Sequence, residues 1–501
     1  MRLIDLMAQT ALAPSRFDAP VNDNARNVII AGLSSDSRVI RPGFLFAALP
    51  GTKSSGDQYI EEAIQNGAVA ILAQPGTKLP STAGGVVLIE DPNPRRRFAR
   101  MAAKFYNQQP ATTVTVTGTN GKTSVASFCR QIWAALDKSA ASIGTLGVEA
   151  PQLEWPQPAT GYNLTTPDSV TLHNELSDLA KAGVTHLAME ASSHGLDQYR
   201  LDGVTLSAAG FTNLTRDHLD YHGSMGAYFN AKARLFSDVL PAGSLAVINA
   251  DSEFADRLED ICITFGHQVI LYGKKGRDIT LESQTPTERG QKLVINVFGK
   301  KYTVEIPVAG TFQAGNVLCA LGMTIGLEQD PKNYPKYIEA LTKLSGVRGR
   351  IELVGHHPNG AAVYIDYAHT PDALETVISA LRPHTKNRLH VVFGCGGDRD
   401  AGKRPLMGTI ATKLADKVIV TDDNPRTENP KRIRQEILVA APGAMEIADR
   451  RQAIETAING LKAGDVLVIA GKGHEQGQII DRVTHPFDDA TEVRAALKRI
   501  K

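Results

Sequence analysis

Thr112-Thr-Val-Thr-Val-Thr-Gly118-Thr-Asn-Gly121-Lys122-Thr123-Ser124 runs a β-branched stretch into a glycine-rich turn, and a helix-like segment follows from about Ser124 to Leu136. Strand, turn and helix in that order make a phosphate-binding loop. Backbone N–H groups of the turn and the positive end of the helix converge on an anion. Lys122 is placed to reach terminal phosphates, and the Thr123 hydroxyl to sit on a Mg²⁺ ion. The longer form of such a loop begins with a glycine where this chain has Val116, so the loop here is the shorter Gly-x-x-Gly-Lys-Thr. The stretch reads as an ATP site.

Around that loop, 501 residues exceed a single core, and the length implies roughly three domains. The composition, 42% hydrophobic and 21% charged, is that of an ordinary globular protein. A net charge of +1 gives no sign of nucleic acid or an acidic membrane surface as partner. Cys129, Cys262, Cys319 and Cys395 lie far apart, which argues against a zinc cluster or a disulfide framework and for a reducing compartment. No uninterrupted apolar stretch is long enough for a bilayer. The opening Met1-Arg-Leu-Ile-Asp-Leu-Met reads as an amphipathic helix, not a signal peptide. A cytoplasmic monomer is expected.

Downstream of the loop, Asn163-Leu-Thr165-Thr166-Pro167-Asp168 is a polar turn ahead of a helix, with Asp168 as its cap. An apolar strand from Thr185 ends in Glu190-Ala-Ser192-Ser193-His194-Gly195, and another, Ala208 to Asn213, leads to Arg216-Asp217-His218-Leu-Asp220-Tyr-His222. Ligands bind at the carboxyl ends of strands in open α/β sheets, so Glu190 falls where a metal or phosphate would sit. Asp217, His218, Asp220 and His222 crowd hard ligands into one turn, which suits Mg²⁺ better than zinc. Lys232 sits on a helix amid apolar neighbours; a lone helical lysine is normally a solvated charge, and beside Mg²⁺ a bare ammonium would be repelled.

Residues 1–108 form a first unit, with strands at Val28-Ile-Ile and Ala68 to Ala73 and a helix from Tyr59 to Asn66. Its polar turns, Ser34 to Arg38 and Gly51 to Asp57, read as chain reversals, and Arg95-Arg-Arg as a solvated helix face. A second unit takes residues 109–345, including a small-residue helix opened by Gly310 to Asn316. A third, 346–501, alternates strands and helices as a doubly wound α/β domain. Its apolar strands run into Gly394-Cys-Gly-Gly-Asp-Arg399, Asp422-Asp-Asn-Pro-Arg426 and Gly471-Lys-Gly-His-Glu475, turns that should line one crevice.

Five of these stretches, Gly118-Thr-Asn-Gly-Lys122-Thr, Met189-Glu190-Ala-Ser-Ser-His-Gly195, Phe211-Thr-Asn-Leu-Thr-Arg-Asp-His218, Asp366-Tyr-Ala-His369-Thr-Pro371 and Gly394 to Arg399, resemble in kind and order the motifs of the Mur ligases. Those enzymes join amino acids to a nucleotide-linked cell-wall precursor. The resemblance spans nearly the whole chain, and the short phosphate loop is that family's form. It implies an N-terminal uridine-binding α/β domain, a central P-loop ATPase domain with a mostly parallel sheet, and a C-terminal Rossmann-like domain. It also implies ATP contacts at Gly118, Thr119, Asn120, Gly121, Lys122, Thr123, Ser124, Asn316, Arg348, Asp366 and His369. Ser35, Ser37, Thr52, Lys53, Ser54, Thr165, Thr166, Ser192, Gln198 and Arg200 are implied to hold a UDP-sugar peptide. Mg²⁺ would be held by Thr123, Glu190, His218 and a Lys232 carbamylated by CO₂, with Lys122, Glu190, His218 and Lys232 as the catalytic set.

Within the family, Asp423-Asn424-Pro425-Arg426 is similar to the branch that adds meso-2,6-diaminopimelate to UDP-N-acetylmuramoyl-L-Ala-D-Glu. That substrate carries a second amino-acid head whose carboxylate a guanidinium can hold in bidentate fashion, whereas the same Arg would repel the ammonium of lysine. Arg399, Asp423, Asn424, Pro425, Arg426, Gly471 and Glu475 are implied to bind the incoming amino acid. The competing readings are a lysine-adding relative, a folylpolyglutamate synthetase-like ligase, and a nucleotide-switched binding protein that makes no bond. Holding three substrates implies closure about a joint near Leu344 to Arg348.

Overall fold

The computed structural model describes residues 1–8, 10, 27–51, 55–81, 83–153, 155, 164–287 and 290–500. Thr52, Lys53 and Ser54 lie outside these. Two compact units result: Met1–Tyr272 with Cys319–Pro331, and Gly273–Leu318 with Lys332–Lys501. Residues 344–348, read as a joint, lie inside the second unit. Among the described residues no helix is long and apolar enough to cross a membrane.

In the first unit a small parallel sheet runs in the order Gly32–Ser34, Phe44–Ala47, Ala68–Ala73, Val87–Glu90. The first strand is not Val28 to Ile30, as the apolar triplet implies. Ile29 makes only an isolated bridge to Arg2, and the ladder begins where Gly32 pairs with Phe44. Sequence hydrophobicity marks burial, and Ile30 is buried; pairing is decided by the next strand. The helix read from Tyr59 to Asn66 is Ile60–Gln65, entered by a 3₁₀ turn at Gly56–Tyr59. The helix Pro94–Tyr106 corrects a second expectation, because the Arg95–Arg97 run is not a solvated face. Arg97 is 2% exposed and pairs with Asp91 at 3.2 Å, and Arg96 reaches the buried Asp202 at 2.6 Å. Buried carboxylates at matching positions draw the guanidinium groups inward.

A larger sheet in the same unit sets strand Thr112–Thr117 between His186–Glu190 and Ala208–Phe211, all parallel. Leu245–Asn249 and Gln268–Gly273 extend it on one side, Ala140–Gly144 and the antiparallel Gly147–Glu149 on the other. The central strand is buried almost throughout, as a parallel strand covered on both faces must be. Asp168 caps helix Ser169–Lys181 as read, its carboxylate accepting from the amides of Val170 and Thr171.

The second unit carries an antiparallel ladder, Ile279–Thr287, Gly290–Val297, Lys300–Ile306, and a six-stranded sheet. That sheet orders Glu352–His356, Ala362–Asp366, Val466–Ala470, Leu389–Phe393, Lys417–Val420, Met445–Glu446, parallel except for its first strand. Helices on both faces bury it in two apolar clusters, one around Phe393 and Met407, the other around Ile365 and Ile454. The doubly wound reading of this part of the chain therefore holds.

Candidate active site

Parallel register puts the three chemistry-bearing strand ends of the first unit side by side. Val116 pairs with Glu190 on one flank and Thr117 with Phe211 on the other, so Glu190 and the Thr212–His222 turn bracket the phosphate loop. Gly118 turns the chain at a φ of 151°, where any Cβ would collide with the Thr212 hydroxyl. The helix then begins at Lys122, two residues before the expected Ser124, and runs to Ala135. The loop is pinned across to the neighbouring turn. Thr119 N donates to Asn213 O at 2.8 Å, Asn120 N to Asn213 Oδ1 at 2.9 Å, and the Thr212 hydroxyl to Asn120 O at 2.6 Å. Thr123 and Ser124 are buried in the first helical turn.

Lys122 Nζ donates to the carbonyls of Gly118 and Thr119, both at 2.9 Å, and Lys232 Nζ to the same Gly118 carbonyl at 2.8 Å. Lys232, on helix Met225–Arg234, is 2% exposed, so the ordinary solvated lysine is excluded. Burial, reinforced by the nearby Lys122 ammonium, pushes its amine well below the usual lysine range. Its nitrogen lies 4.5 Å from the ring centre of Tyr228, whose own hydroxyl reaches Thr119 Oγ1 at 3.2 Å. Tyr228 was not singled out from sequence, although its place one helical turn before Lys232 is a legible signal.

Glu190 is 3% exposed and accepts from Thr145 N at 2.7 Å and Thr145 Oγ1 at 3.2 Å. The peptide-binding candidates gather beside it. Thr166 Oγ1 donates to Glu190 O and accepts from Ser192 N, each at 2.9 Å; Thr165 meets Thr145 at 3.2 Å. Arg200 bridges Thr166 O and Gln198 Oε1 at 2.7 Å. Five of the residues expected to hold the sugar peptide thus form one network. Ser35 is placed apart from it, in a cleft of about 400 Å³ with Leu33, Asp36, Phe44, Asp168 and Val170. Ser37 is buried and gives its hydroxyl to Glu62 Oε2 at 2.6 Å.

The Asp217–His222 turn is partly self-satisfied. Asp217 accepts from His218 N, and the Tyr221 hydroxyl donates to Asp197. His194 packs against His218 and His222 at 4.8 and 5.6 Å. Among the described residues no three His, Cys, Asp or Glu side chains are grouped to hold a metal, so the turn is not a cage by itself. The hard oxygens of Thr123 and Glu190, at the loop and beside it, do fit a small divalent cation shared with phosphate oxygens.

The second unit's sheet brings four turns to one edge, since its strands Ala362–Asp366, Val466–Ala470, Leu389–Phe393 and Lys417–Val420 are parallel. Asn424 N donates to Asp423 Oδ1 at 2.7 Å, and its side-chain Nδ2 donates to Glu475 Oε2 at 2.9 Å. Gly471, at φ 115°, leaves room for Asp423 Oδ2, which any Cβ would meet at 2.6 Å. Arg426 donates to Gly397 O at 2.8 Å and Arg399 to Asp398 O at 3.4 Å. Thr427 Oγ1 donates to Asp398 at 2.7 Å and Gly397 N to Asn424 O at 2.9 Å, tying the two arginine-bearing turns together beside Pro425. The fully buried Lys472, which donates to Asn424 Oδ1 at 2.8 Å, was missed from sequence.

The nucleotide candidates of this unit each hold a partner of their own. Burial pushes the Asp366 carboxyl up to about 6, although it accepts from the amides of Ile351 and Ala368. His369 bonds Tyr367 O at 2.8 Å, Arg348 pairs with Asp488 at 2.7 Å, and the buried Asn316 donates to Gln313 at 2.8 Å.

Family models match in three consecutive blocks: "Mur ligase family, catalytic domain" over residues 29–106, "Mur ligase middle domain" over 116–324, and "Mur ligase, glutamate ligase domain" over 349–473. The chain belongs to the Mur ligase family of ATP-dependent ligases. It is 54% identical, over 95% of its length and 97% of the relative's, to the UDP-N-acetylmuramoyl-L-alanyl-D-glutamate–2,6-diaminopimelate ligase of Caulobacter vibrioides. With the Rhizobium meliloti enzyme of the same name it shares 50%, over 98% and 99% of the two chains. A solved structure of a ligase of that name superposes with a TM-score of 0.68 at 35% identity, covering 94% of this chain and 95% of the other.

Proposed function

We propose that the chain joins meso-2,6-diaminopimelate to UDP-N-acetylmuramoyl-L-alanyl-D-glutamate with hydrolysis of ATP, extending the peptide of a peptidoglycan precursor. The observation that carries this reading is the near full-length identity to ligases of that name, together with the paired Arg399 and Arg426 turns. The γ-phosphoryl group passes from ATP to the side-chain carboxylate of the D-glutamyl residue. The free amine of diaminopimelate then attacks the acyl phosphate, and inorganic phosphate leaves as the amide closes.

The chain's own groups divide this work. Gly118 to Ser124 cradle the phosphates, and Lys122 turns from its loop carbonyls to the transferring group, stabilising its charge. Asn316, Arg348, Asp366 and His369 hold the rest of the nucleotide. Thr165, Thr166, Ser192, Gln198 and Arg200 orient the peptide, and Ser35 with Ser37 and Thr52 to Ser54 the uridine end. Thr123 and Glu190 would hold one Mg²⁺, and His218 with the modified Lys232 would help place a second; the ions would supply positive charge to the transferring group. Lys232, buried beside the Lys122 ammonium, adds CO₂ from its neutral form through a new N–C bond with loss of one proton, becoming an anion suited to a second cation. Arg399 and Arg426 take the distal carboxylate, and Glu475 with Asn424 an ammonium. Domains at 1–108, 109–345 and 346–501 divide the three substrates. The protein works in the cytoplasm as a monomer; light scattering on the eluting enzyme would reveal any larger assembly.

The deciding experiment is ATP-dependent phosphate release with the dipeptide precursor, comparing meso-diaminopimelate with L-lysine. Release with diaminopimelate alone is expected. Release with lysine would keep the family and overturn the specificity; release with neither would favour a nucleotide switch.

A further inference from the structure

Lys472 is 0% exposed, yet both of its side-chain partners lie on the amino-acid turns. Its Nζ donates to Asn424 Oδ1 at 2.8 Å and to Glu475 Oε2 at 3.2 Å. Asn424 Oδ1 also accepts from Ile479 N at 3.0 Å. With two donors on Oδ1, the amide can present only its Nδ2 to Glu475, which it meets at 2.9 Å. One ammonium therefore fixes the direction of a neutral amide and takes up one oxygen of a carboxylate. Glu475, 33% exposed at its side chain, keeps its other oxygen for a ligand, but with its charge already shared.

We infer that Lys472 is a specificity-determining positioning residue: by half-neutralising Glu475 and locking Asn424, it turns the pocket toward a zwitterionic amino-acid head and away from a lone ammonium. This rests on the function proposed above. A bare carboxylate attracts any cation, including the side-chain ammonium of lysine. A carboxylate already paired with Lys472 gains less from charge alone, and must be met by an ammonium in the right place, with a carboxylate beside it for Arg426 and Arg399. The lysine is buried where no solvent competes, so it acts on these two partners continuously.

Two variants separate its geometric role from its charge. Lys472→Met removes both; Lys472→Gln can still donate hydrogen bonds but leaves the Glu475 charge unshared. In Lys472→Met the KM for diaminopimelate should rise about tenfold or more, with kcat within about threefold of the parent enzyme. In Lys472→Gln the KM rise should be smaller, while the ratio of diaminopimelate to L-lysine use, read by phosphate release, falls about tenfold. The two changes should also be non-additive with Glu475→Gln, since Lys472 acts through that carboxylate. An unchanged substrate ratio in both folded variants would overturn the inference. So would failure of both to fold, which would make Lys472 a structural residue only. If the parent enzyme itself released no phosphate with diaminopimelate, the function proposed above would fall first, and the two failures are thus distinguishable.

Discussion

Around the phosphate loop of the first unit, cations rest on carbonyls; around the turns of the second unit they divide into two sets. Lys122 and Lys232 both donate to Gly118 O. In the second unit Arg426 and Arg399 likewise donate to backbone carbonyls, those of Gly397 and Asp398. Arg404, Arg450 and Lys472 instead hold carboxylates: Glu428 and Glu436 at 2.9 and 2.7 Å, Asp489 at 2.7 Å, Glu475 at 3.2 Å. The difference has a physical meaning. A carbonyl is a weak acceptor that an incoming phosphate or carboxylate displaces at little cost, whereas a buried ion pair is broken only with a large penalty. Cations held by carbonyls are thus poised for a ligand, and buried cations on carboxylates hold the turns that carry them.

The largest effect expected from this division is at Arg450, whose pair with Asp489 is 0% exposed on both sides. Arg450→Met leaves an uncompensated buried carboxylate and should cost about 3–5 kcal/mol, read as a lower denaturant midpoint. A loss under about 1 kcal/mol would show that the pair is not scaffolding. Lys232→Ala comes next and should act on rate rather than stability. Activity should fall about 10²–10³-fold and recover partly with short-chain carboxylic acids. Full activity without added acid would remove Lys232 from the catalytic set. Arg426→Ala should raise the KM for diaminopimelate about 10- to 100-fold with little change in kcat or melting temperature, because its present partner is only a carbonyl. A large fall in melting temperature would instead group Arg426 with Arg450.

Much of this was legible in the chain. Strand ends at Thr117, Glu190, Phe393 and Ala470 could be placed because parallel strands buried on both faces read as unbroken β-branched or apolar runs, and the chemistry follows where each run stops. The partners of long side chains were not legible. Arg97 and Lys472 look like surface charges in sequence, and only the fold shows that Asp91 and Asn424 lie within their reach. Periodicity reports which face of an element is apolar; it does not report which charges a distant turn brings to that face. The same limit hid Thr145, whose amide and hydroxyl hold the Glu190 carboxylate from 45 residues away.

Asp366 tests the division from its other side, as a buried carboxylate carried by backbone amides. It is 6% exposed, accepts from Ile351 N and Ala368 N at 2.7 and 2.8 Å, and titrates at about 6 because burial outweighs the Arg350 guanidinium and those amides. In the unfolded chain the carboxyl returns to its ordinary value of 3.8. Between these values the folded protein keeps a proton that the unfolded chain has lost. The contribution of this group to stability is therefore complete below about pH 4 and is lost as pH rises through about 6. The change should be about 3 kcal/mol across that window. Asp366→Asn, which cannot ionise, should lose that part of the slope whatever it costs in absolute stability. Parallel denaturation curves for the two proteins at every pH from 4 to 7 would mean that Asp366 is ionised throughout. Its amides would then stabilise the charge as firmly as Asp489 stabilises Arg450, and the distinction between displaceable and fixed partners would not extend to carboxylates.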